Sequence, residues 1–169
     1  MRILAVLVFA LLTATLSACA TVGPTTYSAT EAASSGSPVP VEGYDWFFHG
    51  EDSSARLAYG LEESDDLRLA LECDRGSGQL ALSGIAPTGA RSEFHIESGS
   101  ETERFAAVAE PSQLHDGVFL SASARANAPV FQRFRRLGWL AMWQDGKRQA
   151  YATQPASAAN IERFFAFCG

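Results

Sequence analysis

The chain has 169 residues, 13 Lys and Arg against 19 Asp and Glu, and a formal net charge of −6. That length holds one folded core beside a leader, and not two domains. The acidic balance argues against nucleic acid as a partner and against a polybasic grip on anionic lipid, since both need a basic face.

The chain opens with Met1-Arg2, an apolar run from Ile3 to Leu12, and then Leu16-Ser17-Ala18-Cys19. A short basic start, an apolar centre and small residues before a cleavage point make a secretory signal. The apolar stretch is short for a bilayer span, which needs about 20 residues. Leu-Ser-Ala-Cys resembles the lipobox of bacterial lipoproteins. The resemblance covers the leader only. It implies that residues 1–18 are removed and that Cys19 is lipidated and becomes the mature N-terminus. Acyl chains contribute about 0.8 kcal/mol per buried methylene, so several of them anchor a chain stably. Ala20 and Thr21 stand where an Asp usually marks inner-membrane retention. The resemblance therefore implies a cell-envelope protein, lipid-anchored in the outer membrane and facing the periplasm. Loss of Arg2 with the leader brings the mature chain to about −7.

Residues 19–40 form the lipidated N-terminus and a tether of Thr, Ser, Ala, Gly and Pro, with Glu31 as the charge and Tyr27 as the aromatic residue. Such a segment buries too little apolar surface to offset its ordering entropy. Residues 41–169 make the folded, β-rich domain. With Cys19 committed to lipid, Cys73 and Cys168 remain as an even pair in an exported chain. Two buried thiols or a metal site are the alternatives to a disulfide. Neither residue belongs to a Cys-x-x-Cys pair, so redox catalysis and zinc are weak readings.

Along the domain, Tyr44, Trp46, Phe47 and Phe48 open a nearly continuous apolar run, and the acidic tract Glu62-Glu63-Ser64-Asp65-Asp66 follows. Leu67, Leu69, Leu71 and Cys73 alternate with Arg68, Ala70 and Glu72, the pattern of a half-buried strand. Gly76 and Gly78 suit a tight connection to a partner strand over Gln79 to Ile85. After a turn at Pro87-Thr88-Gly89, Ser92 to Ser98 alternates with Phe94 and Ile96 inward and Glu93, His95 and Glu97 outward. Ser98-Gly99-Ser100 leads to a strand over Thr102 to Ala109, and Val118 to Ala124 is another. Trp139 to Trp143, Asp145-Gly146 and Arg148 to Thr153 read as a hairpin with a primed turn. Two segments break this rhythm. Asn127 is placed to cap a helix with Pro129 in its first turn, apolar face Val130, Phe131, Phe134 and Leu137, and Gly138 at its end. Ser157 is placed to cap a terminal helix with the stripe Ile161, Phe164, Phe165 and Cys168. Helical pitch and strand alternation then put both Cys168 and Cys73 on buried faces, which favours the disulfide. The fold class is mainly β (α+β): a small antiparallel sheet or barrel-like domain with two short helices, the last one crosslinked to the sheet.

Several constellations carry candidate chemistry. Glu93, His95 and Glu97 share a strand face, but neighbours there stand almost 7 Å apart, so at most two reach one ion; a solvated face is the plainer reading. His115-Asp116 lacks a recognisable nucleophile. The acidic tract lacks the Gly of a calcium loop and reads as solvated. Arg133, Arg135, Arg136, Lys147 and Arg148 hold five of the 13 basic residues and make a candidate patch for an anionic ligand, against an ordinary solvated helix face. Trp139 and Trp143 share a face, as core or as a stacking surface for sugar. No metal or other cofactor is expected. The reading is a non-catalytic envelope lipoprotein with a binding or structural role. Its partners are the membrane, through lipid, and an envelope protein, glycan or peptidoglycan, with no nucleic acid. The alternative is a cell-wall-acting hydrolase or metal-dependent enzyme with a non-local active site.

Overall fold

A computed structural model describes residues 36–112 and 116–169. Cys19, the leader, most of the tether and His115 lie outside the described residues. Ten strands and two helices follow in order: β1 (Tyr44–Gly50), β2 (Ser54–Leu61), β3 (Leu67–Asp74), β4 (Gln79–Ala86), β5 (Glu93–Ser98), β6 (Glu101–Ala106), β7 (Val108–Pro111), β8 (Val118–Arg125), α1 (Pro129–Leu137), β9 (Trp139–Gln144), β10 (Lys147–Ala152) and α2 (Ala158–Cys168). Six strands form one sheet in the order β1-β2-β3-β4-β8-β7, and four form a second in the order β10-β9-β5-β6. Every pairing is antiparallel. This is the expected fold class, with α2 covalently joined to the larger sheet through Cys73–Cys168, whose Cα atoms lie 5.8 Å apart.

The inner faces enclose one core. Leu57, Leu69, Leu71, Leu80, Leu82 and Leu120 come from the larger sheet, and Phe94, Ile96, Leu140 and Met142 from the smaller. Helix α2 packs on β1 and β2, α1 packs on β5, β6 and β9, and the helices touch each other. Trp46 is the hub: its ring lies 4.8 Å from Phe134 and 5.3 Å from Tyr59, and its indole N–H donates to the Tyr151 carbonyl at 3.1 Å.

Local signals explain the connections. Asp145 and Gly146 adopt φ 48° and 74°, the positive pair a two-residue hairpin needs. Gly138 ends α1 in the left-handed region. The β3–β4 turn also closes α2, because the Gly76 and Gly78 N–H groups donate to the carbonyls of Phe167 and Cys168 at 3.0 and 2.8 Å. Those carbonyls have no partner within the helix, so turn and cystine secure the same helix end.

Four expectations are corrected. The run from Thr102 to Ala109 is two strands: it changes sheet at Ala107, with β6 pairing β5 and β7 pairing β8. Asn127 does not cap α1; Ala128 holds that position, and the Val130 N–H donates instead to Glu103 Oε1 on β6 at 2.7 Å. Ser157 holds the N-cap position of α2 without a capping side-chain bond. Leu137 is exposed, outside the buried set Val130, Phe131 and Phe134.

Candidate functional site

The outward face of β5 is not solvated. Glu97 has no exposed surface and His95 is 4 % exposed. The Glu97 carboxylate receives both Arg148 Nε and Nη2, at 2.9 and 3.1 Å, and the Trp143 indole N–H at 2.7 Å. Arg148 also lies over Trp139, 5.3 Å from the ring centroid. His95 stacks on Trp143 at 6.2 Å. Glu93 pairs with Arg104 and Arg91. The expected trio of Glu93, His95 and Glu97 is thus drawn toward arginines and tryptophans. Among the described residues no group of three His, Cys, Asp or Glu side chains is placed to hold a metal ion.

The five basic residues of the expected patch do not share one open surface. Arg133 donates to the Ser98 carbonyl at 2.7 Å and to Glu101 and Glu103 at 2.8 and 3.5 Å. Arg135 grips Glu162 through two nitrogens. That contact lowers the Glu162 pKa and raises that of Arg135. Arg148 is spent on Glu97, while Arg136 and Lys147 are exposed. Local potential from such cations is largely cancelled by the carboxylates beside them.

A different region gathers polar groups around a β-bulge. The β2–β3 pairing matches Tyr59 with Leu69 and then Gly60 with Leu67, so Arg68 is one residue in excess, a β-bulge. A Cβ on Gly60 would stand 2.7 Å from the Asp66 carbonyl oxygen, so the bulge needs glycine there. Strict alternation would turn Arg68 outward with Ala70. The bulge instead brings its guanidinium to Asp66 at 2.8 Å and to the Tyr44 hydroxyl at 3.3 Å. Tyr44 also bonds Asp66. Hydrogen bonding to Tyr44, with Asp66 nearby, raises the Arg68 pKa against the effect of burial. The acidic tract therefore ends in an ordered contact at Asp66, not wholly in solvent.

This triad borders a groove of about 620 Å³ between the two sheets. Its larger-sheet wall comes from Asp65 to Arg68, the β4 end at Ile85 to Pro87, and Asp116; its other wall is Gln144, Gln149 and Tyr151. Gly117 presses against β4, where a Cβ would meet the Ala86 carbonyl oxygen at 2.3 Å, and so seats Asp116 on the rim. Tyr151 packs at a tilt against Tyr59, which stacks on Tyr44, with centroids 4.9 and 5.9 Å apart. Burial raises the Tyr151 pKa above the phenolic range, and the Arg68 charge pulls partly back. Burial, Asp45 and Tyr44 push Tyr59 up to about 12. Both phenols are neutral hydrogen-bonding groups at neutral pH. Composition and alternation did not single out this groove, because Arg68 fits the period-two pattern of its strand.

The chain matches no family model, no curated protein and no solved structure. Among the described residues no helix is long and apolar enough to cross a membrane.

Proposed function

We propose that this protein is a lipid-anchored component of the bacterial cell envelope, held in the outer membrane through Cys19, whose β-rich domain binds another envelope component without catalysis. The observation that carries the reading is the cystine. Cys73 and Cys168 are 95 residues apart and joined. Such a bond persists in an oxidising compartment and is rare in the cytosol. It agrees with the leader, which is an independent feature of the sequence. The binding role draws support from the groove between the sheets, which the exposed side chains of Asp65, Asp116 and Gln149 line.

A hydrolase or metal-dependent enzyme is the rival. It needs a base, its orienting acid and a nucleophile in hydrogen-bond reach, or convergent ligands. His49 and His95 stand on different sheets, on β1 and β5. That separation favours the binding role. The net charge of −6 speaks for a partner that is neither nucleic acid nor a strongly anionic surface. The anchor is tested by growing cells with labelled palmitate. The parent chain takes up label and sediments with membranes, and Cys19→Ser does neither. A Cys19→Ser protein that labels like the parent overturns the lipoprotein reading.

A further inference from the structure

The groove between the sheets has a lining that narrows its ligand, and the geometry points to a neutral oligosaccharide. The inference rests on the binding role proposed above and adds the ligand class and its seat.

The first observation is the balance of donors and acceptors. Asp65 and Asp116 are exposed carboxylates that accept only. The Gln149 carbonyl oxygen receives the Tyr151 hydroxyl at 3.3 Å, which leaves its amide nitrogen as a donor. The Gln144 nitrogen donates to the Ile85 carbonyl at 3.5 Å and to Met142 Sδ at 3.9 Å, which leaves its oxygen as an acceptor. Arg68 also lines the groove, its guanidinium held on Asp66 and on the Tyr44 hydroxyl. Hydroxyl groups both donate and accept, so a ring bearing several of them satisfies such a mixed set.

The second observation is the apolar wall. Leu67, Ile85, Ala86 and Pro87 lie beside those polar groups. A pyranose presents C–H faces and hydroxyl edges, so it matches a cleft that is apolar on one side and polar at its rim. Volume agrees: about 620 Å³ is within the range of small-ligand clefts.

The third observation is charge. Three carboxylates and one guanidinium leave the groove net negative. Anionic headgroups and phosphates are repelled there. A neutral ligand avoids that repulsion.

The test uses the full-length chain in detergent micelles, with chitotetraose as the neutral oligosaccharide and spermidine as the cationic comparison. Saturation-transfer NMR should show contact to the sugar ring protons, and a titration should be nearly independent of salt because the ligand carries no charge. Gln149→Ala and Asp116→Ala alter exposed groove residues and should each weaken chitotetraose by about three- to tenfold, the effect of one lost hydrogen bond. His49→Ala, on β1 away from the groove, should bind as the parent does. Failure of chitotetraose to bind, or spermidine binding that is lost in the groove variants, overturns the oligosaccharide inference. Sugar binding that neither groove variant weakens overturns the seat and leaves the binding role intact. The palmitate experiment reads the anchor separately.

Discussion

Glu97 illustrates how a charge is kept on the outer face of a sheet. It has no exposed surface, yet Arg148 and Trp143 together supply three donors to its two oxygens. A buried pair of this kind adds little net stability over an apolar replacement, but breaking it by removing one partner costs about 3–5 kcal/mol. Glu97→Ala should therefore lower unfolding stability by about that amount in a urea titration, although the residue sits on a face whose alternation reads as solvated. A loss below about 1 kcal/mol would mean that Arg148 finds water on removal of the carboxylate. Tyr59 makes the opposite case. Its hydroxyl is buried without a partner among the described residues, and its pKa is raised from 10.0 to about 12. A raised folded value means that the folded state holds its proton longer than the unfolded chain. The associated stability is complete below pH 10 and is lost as pH rises through about 12. The span corresponds to something on the order of 2 kcal/mol. Tyr59→Phe keeps the ring stacking and removes the orphaned hydroxyl. It should be as stable as the parent or slightly more so at pH 7, and should show a shallower loss of stability above pH 10, measured by denaturant unfolding across that range. A variant that is clearly less stable at pH 7 would show that the hydroxyl is satisfied in solution.

At the scale of elements, what the sequence revealed depended on how local the cause was. The β3–β4 and β9–β10 hairpins were legible because their turn residues and alternation lie within a few positions of each other. The cystine was legible because helical pitch fixed the facing of Cys168 and strand alternation that of Cys73. Strand β2 was not. It is buried on both faces from Leu57 to Gly60, so it has no alternation to read. The change of sheet at Ala107 carries no turn residue, and the N-terminal cap of α1 comes from Glu103, 27 positions away. Site residues followed the same rule. Alternation set the facing of Glu97 correctly but is silent about what lies over it, and Trp143 and Arg148 are 46 and 51 positions distant. Arg68 was assigned to the outward face because one-residue bulges are invisible to a period-two count. Gly60, whose missing Cβ makes room for the Asp66 carbonyl, is the only local mark of that bulge.

For the whole molecule, two sheets and two helices around one core leave a groove between the sheets, and a cystine ties the chain's end to the larger sheet. Closing a loop across 95 residues of sequence removes unfolded-state entropy amounting to about 4.7 kcal/mol in the chain-entropy model. The proposed mature species is exported, anchored at Cys19 and oxidised at Cys73 with Cys168. The intact mass of the protein extracted from membranes, without reduction, tests all three at once. The expected species begins at Cys19, carries a diacylglyceryl group and an acyl chain there, and is two hydrogens lighter than its dithiol form. A mass that retains Met1 to Ala18, or an unlipidated chain with both thiols free, would contradict it.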